Sequence, residues 1–432
     1  MASSAKPTIC ELPRSHADRP RHPDQQRAKL PLKARKDAAL ATLNGEHGAA
    51  AGNGQGLTKA ELVAWRRTVH MFPELGYQES YTQELILSEL KAMGVSGKPL
   101  AGTGVMADLK AKAPGKTLML RSDIDALPVQ EENDHAFVSR HPKVMHACGH
   151  DAHIAILLGA TKLLRQQPLG QGTVRLNFQP AEEGLNGAGA MIEAGILQGV
   201  DATIGYHIWQ HLPVGQIGVV TGPAMAAVDR FEITLEGKGG HAAMPSKAID
   251  PIVIAAQLIT AFQSIVSRNM NPFDTAVVSV CSLHGGDAFN VIPPRVTMEG
   301  TVRTFNPAVQ DLIERRMGEL VRGIPKSYGA TGTLAYHREN PALVNDATMA
   351  DFCRQIAAEV VGKKNVKNPE PSMGGEDHAF YQELVPGCYV FLGSAPKKRE
   401  IFFHHHPRFD FDEDVLPIGA EFMARAARAW LG

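Results

Sequence analysis

The sequence predicts an α/β protein: a large α/β domain with helices on a mixed sheet, interrupted by an inserted ferredoxin-like βαββαβ domain. Three observations carry this. The chain has 432 residues, enough for two to three compact units at roughly 150 residues each. Helical apolar periods alternate with short apolar runs before residue 226 and again after residue 338, the rhythm of a sheet covered by helices. Over 226–338 the order becomes strand, helix, strand, strand, helix, strand, that of a split βαβ module with both helices on one face. The expected division is a tail over 1–56, the larger domain over 57–225 and 339–432, and the inserted domain over 226–338.

Residues 1–56 are rich in Pro, Arg, Lys, Ala and Gly, end in an Ala/Gly/Asn run and show no sustained apolar period, so a disordered tail is expected. Thr58 is placed to cap a helix that carries Leu62, Trp65, Val69 and Phe72 at helical spacing. A second helix runs over about 82–93 and stops at Gly94. Strands are expected over 105–109, 117–120, 174–178 and 202–206, with a helix over about 152–165. The inserted segment supplies strands over 230–236, 275–283, 296–304 and 333–337 and helices over 251–268 and 307–323. A helix at 349–361, a strand at 389–392 and a terminal helix at 415–430 resume the first style.

Forty-four basic against forty-five acidic side chains leave a formal net charge of −1, so no nucleic-acid partner is expected. No window approaches the roughly 18 consecutive apolar residues of a bilayer span, so no membrane partner is expected either. Five cysteines at irregular positions do not form a disulfide framework and suit a reducing compartment, the cytoplasm.

The densest chemistry lies in His146, Cys148, His150, Asp151 and His153. Cys148 and His150 are two apart, so on an extended segment they leave the same face, and thiolate plus imidazole suits a first-row metal. Asp151 can bridge metals or orient a ligating imidazole; the alternative is a buried free cysteine beside helix-capping groups. Glu182 and Glu183 follow an apolar strand at its carboxyl end, where α/β ligand sites form. Adjacent residues point to different sides, so one Glu can ligate while the other acts as general acid/base; an exposed Glu-Glu turn is the plain alternative. His207 ends another strand, and His404, His405 and His406 lie internally near the carboxyl terminus, where a purification tag is not expected. Cys148, His150, Glu183, His207 and one of the late histidines together offer five ligands, with Glu182 spare. The glycines at 237–240 resemble a phosphate loop only superficially, since no Gly-Lys-Ser/Thr follows; a turn presenting His241 to a ligand fits better. Asn290 and Arg303 are polar residues in or beside the inserted module's sheet.

With these residues in view, the chain over about 57–432 resembles the dinuclear metal-dependent amidohydrolases and exopeptidases that include aminoacylases, in particular the hippurate hydrolase and indole-acetyl amino acid hydrolase branch. The resemblance rests on Arg66, Arg67 and His70 with Pro73, Glu74, Leu75 and Gly76; on Arg121, Asp123, Asp125 and Pro128; on Cys148, His150 and Asp151; on Glu182, Glu183 and Gly184; on Gly239, Gly240 and His241; on Gly375, Glu376 and Asp377; and on His405 and Pro407. It implies that Cys148, His150, Glu183, His207 and His405 hold two divalent ions, drawn from zinc, manganese, cobalt or nickel, with Glu182 as the base that activates a water. It leaves Asp125 a structural or orienting role. His241 is implied to be a lid residue that reaches the partner's site in a homodimer formed through the inserted domain, and Asn290 and Arg303 to contact the substrate carboxylate. His378 departs from the aromatic residue that many relatives carry after Glu-Asp. The expected activity is hydrolysis of the amide bond of a small-molecule N-acyl amino acid. A dipeptidase, a deacetylase on the same chemistry, or a binding protein that has lost turnover are the rivals.

Overall fold

The structure, a computed structural model, describes residues 56–167 and 169–432. The expected tail lies outside the described residues except for Gly56.

Thr58 caps the first helix as expected, its hydroxyl accepting from Glu61 N at 3.2 Å. That helix, α1 (Lys59–Met71), and α2 (Ser80–Ala92) lead into β1 (Gly97–Leu100), β2 (Gly104–Lys110), β3 (Ala113–Asp123), α3 (His150–Gln166), β4 (Gln171–Gln179), α4 (Gly187–Glu193), β5 (Ala202–Pro213), β6 (Ile217–Val219) and β7 (Gly222–Met225). The inserted segment contributes β8 (Ala227–Glu236), β9 (Gly240–His241), α5 (Pro251–Ser264), β10 (Ala276–His284), β11 (Val291–Ile292), β12 (Arg295–Thr304), α6 (Pro307–Ser327) and β13 (Thr331–Asn340). The chain then returns through β14 (Leu343–Asn345), α7 (Ala347–Val361), β15 (Val366–Lys367), α8 (Ala379–Gln382), β16 (Gly387–Ala395) and α9 (Val415–Leu431).

Eight strands form one mixed sheet in the order β1-β2-β4-β3-β5-β16-β6-β15. β3 runs parallel to both β4 and β5, and β5 parallel to β16, while β2 pairs antiparallel with β4. The central strands are apolar because both faces are covered: every residue of β16 is buried, and the apolar faces of α3 and α9 complete the core through Ile156, Leu157, Leu416 and Met423. The parallel register puts Asp123 opposite Gln179, so β3 and β4 end at the same level and open one crevice.

The second sheet, β10-β12-β8-β13, is antiparallel throughout and has the ferredoxin-like strand order. Alternate residues of β8 (Phe231, Ile233, Leu235) face α5 and α6 and make a separate core with Leu258, Phe262, Ile313 and Met317. By length and hydropathy, the helical stretch Pro251–Asn269 is apolar enough to span a membrane, which the count of consecutive apolar residues did not anticipate. Its buried face, Ile254, Leu258, Phe262 and Ile265, is the second domain's core. The second sheet meets the catalytic domain at Gly375, in the loop before α8, where an added Cβ would fall 2.1 Å from Val228 Cγ2 on β8. The short strands β1, β7, β9, β11, β14 and β15 were not expected from the sequence, because two to four residues carry no measurable period.

Candidate metal centre

Three backbone features aim the candidate ligands into one crevice. Between Cys148 and His150 the chain turns through Gly149 at φ 92°, and a Cβ there would lie 2.3 Å from Ile208 Cδ1. Only glycine fits this turn, which sends Cys148 off its loop while His150 opens α3. Ahead of Glu182, Ala181 sits at φ 55°, and its N–H donates to the buried carboxylate of Glu79 at 2.9 Å. His405, at φ 70°, donates its backbone N–H to Ala147 O at 2.7 Å and so turns its ring toward Glu183.

The structure brings together the five residues Cys148, His150, Glu183, His207 and His405, with Glu182 beside them. One ligand atom each from Cys148, His150 and His207 lies within 4.8 Å of the others, and the same holds for Cys148, Glu183 and His405, and for His150, Glu182 and Glu183. Cys148 Sγ is 3.4 Å from His207 Nε2, and His405 Nε2 is 3.4 Å from Glu183 Oε1. Cys148, His150 and Glu183 each belong to two of these three groups, so the donors form one continuous cluster.

A cation fits this donor set. His150 Nε2 and Glu183 Oε1 are buried without a hydrogen-bond partner, a cost that a bound ion removes. Burial and the imidazoles of His153 and His404 hold His207 well below its usual range, so it is neutral and its ring can ligate. Burial, then Glu376 and Glu183, push the Glu182 carboxyl well above its usual range, and burial with Glu183 and Glu182 does the same to the Cys148 thiol. Negative charge is therefore crowded where two dications would relieve it.

Three of the candidate ligands are held from behind. His150 Nδ1 faces Asp125 O at 2.9 Å and Asp125 Oδ1 at 3.1 Å, leaving Nε2 for a metal, and Asp125 Oδ2 also accepts from Glu183 N at 3.0 Å. His207 Nδ1 is fixed by Ile208 O at 2.7 Å. Asp151 neither bridges this centre nor orients one of its five candidate ligands: it accepts from Arg66 Nε at 2.9 Å and contacts His70 Nδ1 at 2.8 Å, pinning the α3 start to α1. His153 is bonded to Asp123 and accepts from Ile208 N at 3.0 Å. Of the three late histidines, His404 Nε2 is bonded to Ile208 O at 3.1 Å and His406 Nδ1 accepts from Arg408 N at 3.0 Å, so His405 alone of the three faces Glu183.

Beneath Glu182 lies a buried polar layer that sequence reasoning assigned no role. Arg121 pairs with Glu376 at 2.8 Å, Asp377 at 2.9 Å and Asp123 at 2.6 Å, and Tyr389 OH donates to Glu376. Asp377 also accepts from Gln179 Nε2 and Ala188 N. His378 packs edge-on against Tyr381 at 5.3 Å and is buried, with no hydrogen-bond partner for either ring nitrogen. Glu79, likewise missed, has its carboxyl pushed up to about 8, chiefly by burial.

His241, Asn290 and Arg303 stand apart from the metal-ligand cluster in this structure. His241 is exposed on β9, its Nδ1 accepting from Ala243 N at 3.1 Å, and Asn290 O accepts from Ala242 N at 3.0 Å on the adjoining turn. Arg303 is half-buried on β12 opposite Val228, on the sheet face that meets Gly375 of the catalytic domain.

A family model described as Peptidase family M20/M25/M40 matches residues 119–429. The chain is 42% identical over 373 residues to the N-acetyl-L-cysteine deacetylase of Bacillus subtilis (strain 168), covering 86% of this chain and 88% of that one. It is 40% identical over 378 residues to IAA-amino acid hydrolase ILR1-like 4 of Arabidopsis thaliana, covering 86% of each. Among solved structures, the Bacillus subtilis YXEP protein, described as a dinuclear metal binding peptidase from the M20 family, superposes with a TM-score of 0.76 at 38% identity over 86% of this chain and 98% of that one.

Proposed function

The chain belongs to peptidase family M20/M25/M40, and from that premise we propose that this hydrolase cleaves the amide bond of small N-acyl amino acids, hippurate-like conjugates included, releasing a carboxylic acid and an amino acid. The observation that carries the reading is the convergence of Cys148, His150, Glu183, His207 and His405 around a buried Glu182. These five residues hold two divalent cations, with zinc, manganese, cobalt and nickel suited to a thiolate and three imidazoles. Bound cations supply activation of water and polarisation of the scissile carbonyl. Glu182, raised in proton affinity and facing the same space, takes the water's proton and delivers it to the leaving amine.

The two relatives above are named for an N-acetylated amino acid and for IAA-amino acid conjugates. Arg303, whose planar fork matches a carboxylate, lies on the sheet face turned toward the catalytic domain, and Asn290 can add an amide donor on closure. Wild-type enzyme is expected to prefer a free-acid substrate over its amide or methyl ester by about 30- to 1000-fold in kcat/KM, since a buried guanidinium without its partner costs on the order of 2–4 kcal/mol. Equal turnover of both would refute the carboxylate role of Asn290 and Arg303. A deacetylase that prefers acetyl over aryl acyl groups is the second reading, favoured by the first of those relatives, and a panel crossing acyl groups with amino acids separates the two.

The second domain also supports a homodimer. Ile252 and Val253 of α5 are 40% and 49% exposed, and β10 is an open edge of its sheet. In such a dimer His241 reaches the partner's site. Mixing inactive Glu182→Gln and His241→Ala chains under subunit exchange then restores some activity, and no recovery despite proven exchange refutes it. The free cysteines Cys148, Cys281, Cys353 and Cys388 suit a reducing compartment, and we place the enzyme in the cytoplasm.

A further inference from the structure

A second set of ligand atoms lies outside the site described above. His70, at the end of α1, and Glu131 and His135, on the segment after β3, place one ligand atom each within 4.8 Å of one another. His70 Nε2 is 3.2 Å and His135 Nε2 is 3.3 Å from Glu131 Oε1. A tetrahedral zinc ion with Zn–N and Zn–O bonds of about 2.0–2.2 Å needs neighbouring ligand atoms about 3.3 Å apart. Both spacings already match that edge.

The surroundings are those of a ligating histidine. His70 Nδ1 faces Asp151 Oδ2 at 2.8 Å, the carboxylate–imidazole arrangement that orients the other ring nitrogen toward a metal. Glu131 is fixed in place through Oε2 by Ser139 N at 2.6 Å and through Oε1 by Asn133 Nδ2 at 3.0 Å. Neither ring nitrogen of His135 makes a hydrogen bond, although both are screened from solvent. Its ring is locked against Phe137, stacked at 3.7 Å between centroids. Arg66, the nearby cation, is committed to Asp151, Asp410 and Glu413 at 2.9–3.0 Å and so leaves Glu131 its charge.

We propose that His70, Glu131 and His135 form a third, accessory zinc site, separate from the catalytic pair. Zinc takes the place of the proton that His70 Nε2 shares with Glu131 and uses the lone pair of His135 that has no partner; the released proton goes to solvent. A water would complete the fourth position, entering beside the partly exposed edge of the His135 ring, whose side chain is 18% exposed. The ion ties α1 to the segment that leads to the Cys148 turn, and through Asp151 it is linked to the start of α3. Its role is to clamp that turn, not to perform chemistry.

The test is equilibrium dialysis of the metal-loaded enzyme against micromolar zinc, followed by elemental analysis, for wild type, His135→Leu and His135→Gln. Wild type is expected to hold one more zinc per chain than either variant and to gain melting temperature with added zinc, while the variants gain none and keep wild-type hydrolysis. Because the measurement is a difference between chains that share the catalytic ligands, it reads the accessory ion whether or not the proposed catalytic pair is correct. Equal zinc content in all three proteins, or a zinc-induced rise in melting temperature that survives in both variants, overturns the site.

Discussion

Replacing Glu182 by glutamine removes a charge while keeping the side chain's shape, and the structure separates its effect on turnover from its effect on folding. Glu182 is 9% exposed, and burial, then Glu376, Glu183, Asp377 and Asp125, raise the proton affinity of its carboxyl. Such a group can take a proton from water and return it to the departing amine, and losing a general acid/base costs about 10²- to 10⁴-fold, or about 3–5 kcal/mol in the barrier. Folding moves the other way. A carboxyl raised in the native state loses stability as pH rises above its unfolded value, and the amide has no such penalty. Metal-free Glu182→Gln is therefore expected to match or exceed the wild-type melting temperature at neutral pH, with a gap that widens as pH rises from about 4.5. Amine release from an N-acyl amino acid gives kcat, and elemental analysis of the loaded protein gives the metal count. Loss of metal together with activity would show that Glu182 and Glu183 have exchanged roles, and near wild-type turnover would place the base elsewhere.

Gly149→Ala forces a Cβ to within 2.3 Å of Ile208 Cδ1 at φ 92°. It is expected to lose about 2–5 kcal/mol of stability, combining left-handed strain with overpacking, and to lose metal; denaturant titration showing a wild-type midpoint would refute the turn geometry. Glu79→Gln keeps an acceptor for Ala181 N and an amide for Thr103, whereas Glu79→Ala leaves a buried N–H unpaired at about 1–3 kcal/mol. Activity should therefore survive in the first and fall in the second, and equal losses would refute the positioning role. The Glu79 carboxyl, at about 8 in the folded state against an ordinary 4.5, holds its proton more tightly when folded. Wild-type stability thus declines as pH rises from about 4.5 through 8, and Glu79→Gln flattens that part of the profile. An unchanged profile would contradict it.

The alternation of helices and strands was legible because long periodic segments announce themselves: Trp65 and Val69 on α1, the Val174–Leu176–Phe178 run of β4, the buried Ile254–Leu258–Phe262 face of α5. The order of the eight-stranded sheet was not, since the pairing of β5 with β16 joins segments nearly two hundred residues apart. Cys148, His150, Glu183 and His207 could be chosen as candidate ligands from dense motifs at strand ends, and the structure brings them together. The geometric choice of His405 over His404 depends on a backbone φ of 70°, which no spacing rule reports. Glu79 could not be found, because its partner Ala181 is 102 positions away and a lone glutamate at a helix start reads as solvated. His70, Glu131 and His135 were hidden for the same reason. His70 stood in a motif without an assigned chemistry, and the other two lay in a stretch with no period at all.

The measurement that bears most directly on the proposed chemistry is a titration of metal-stripped enzyme with manganese or zinc, following hydrolysis of an N-acyl amino acid while bound metal is counted. His135→Leu is the protein to use, so that the accessory site does not contribute to the count. Activity is expected to be absent in the stripped protein and to rise to its plateau as the second ion binds per chain. Full activity at one ion, or hydrolysis that persists without metal, would contradict a dinuclear centre built from Cys148, His150, Glu183, His207 and His405.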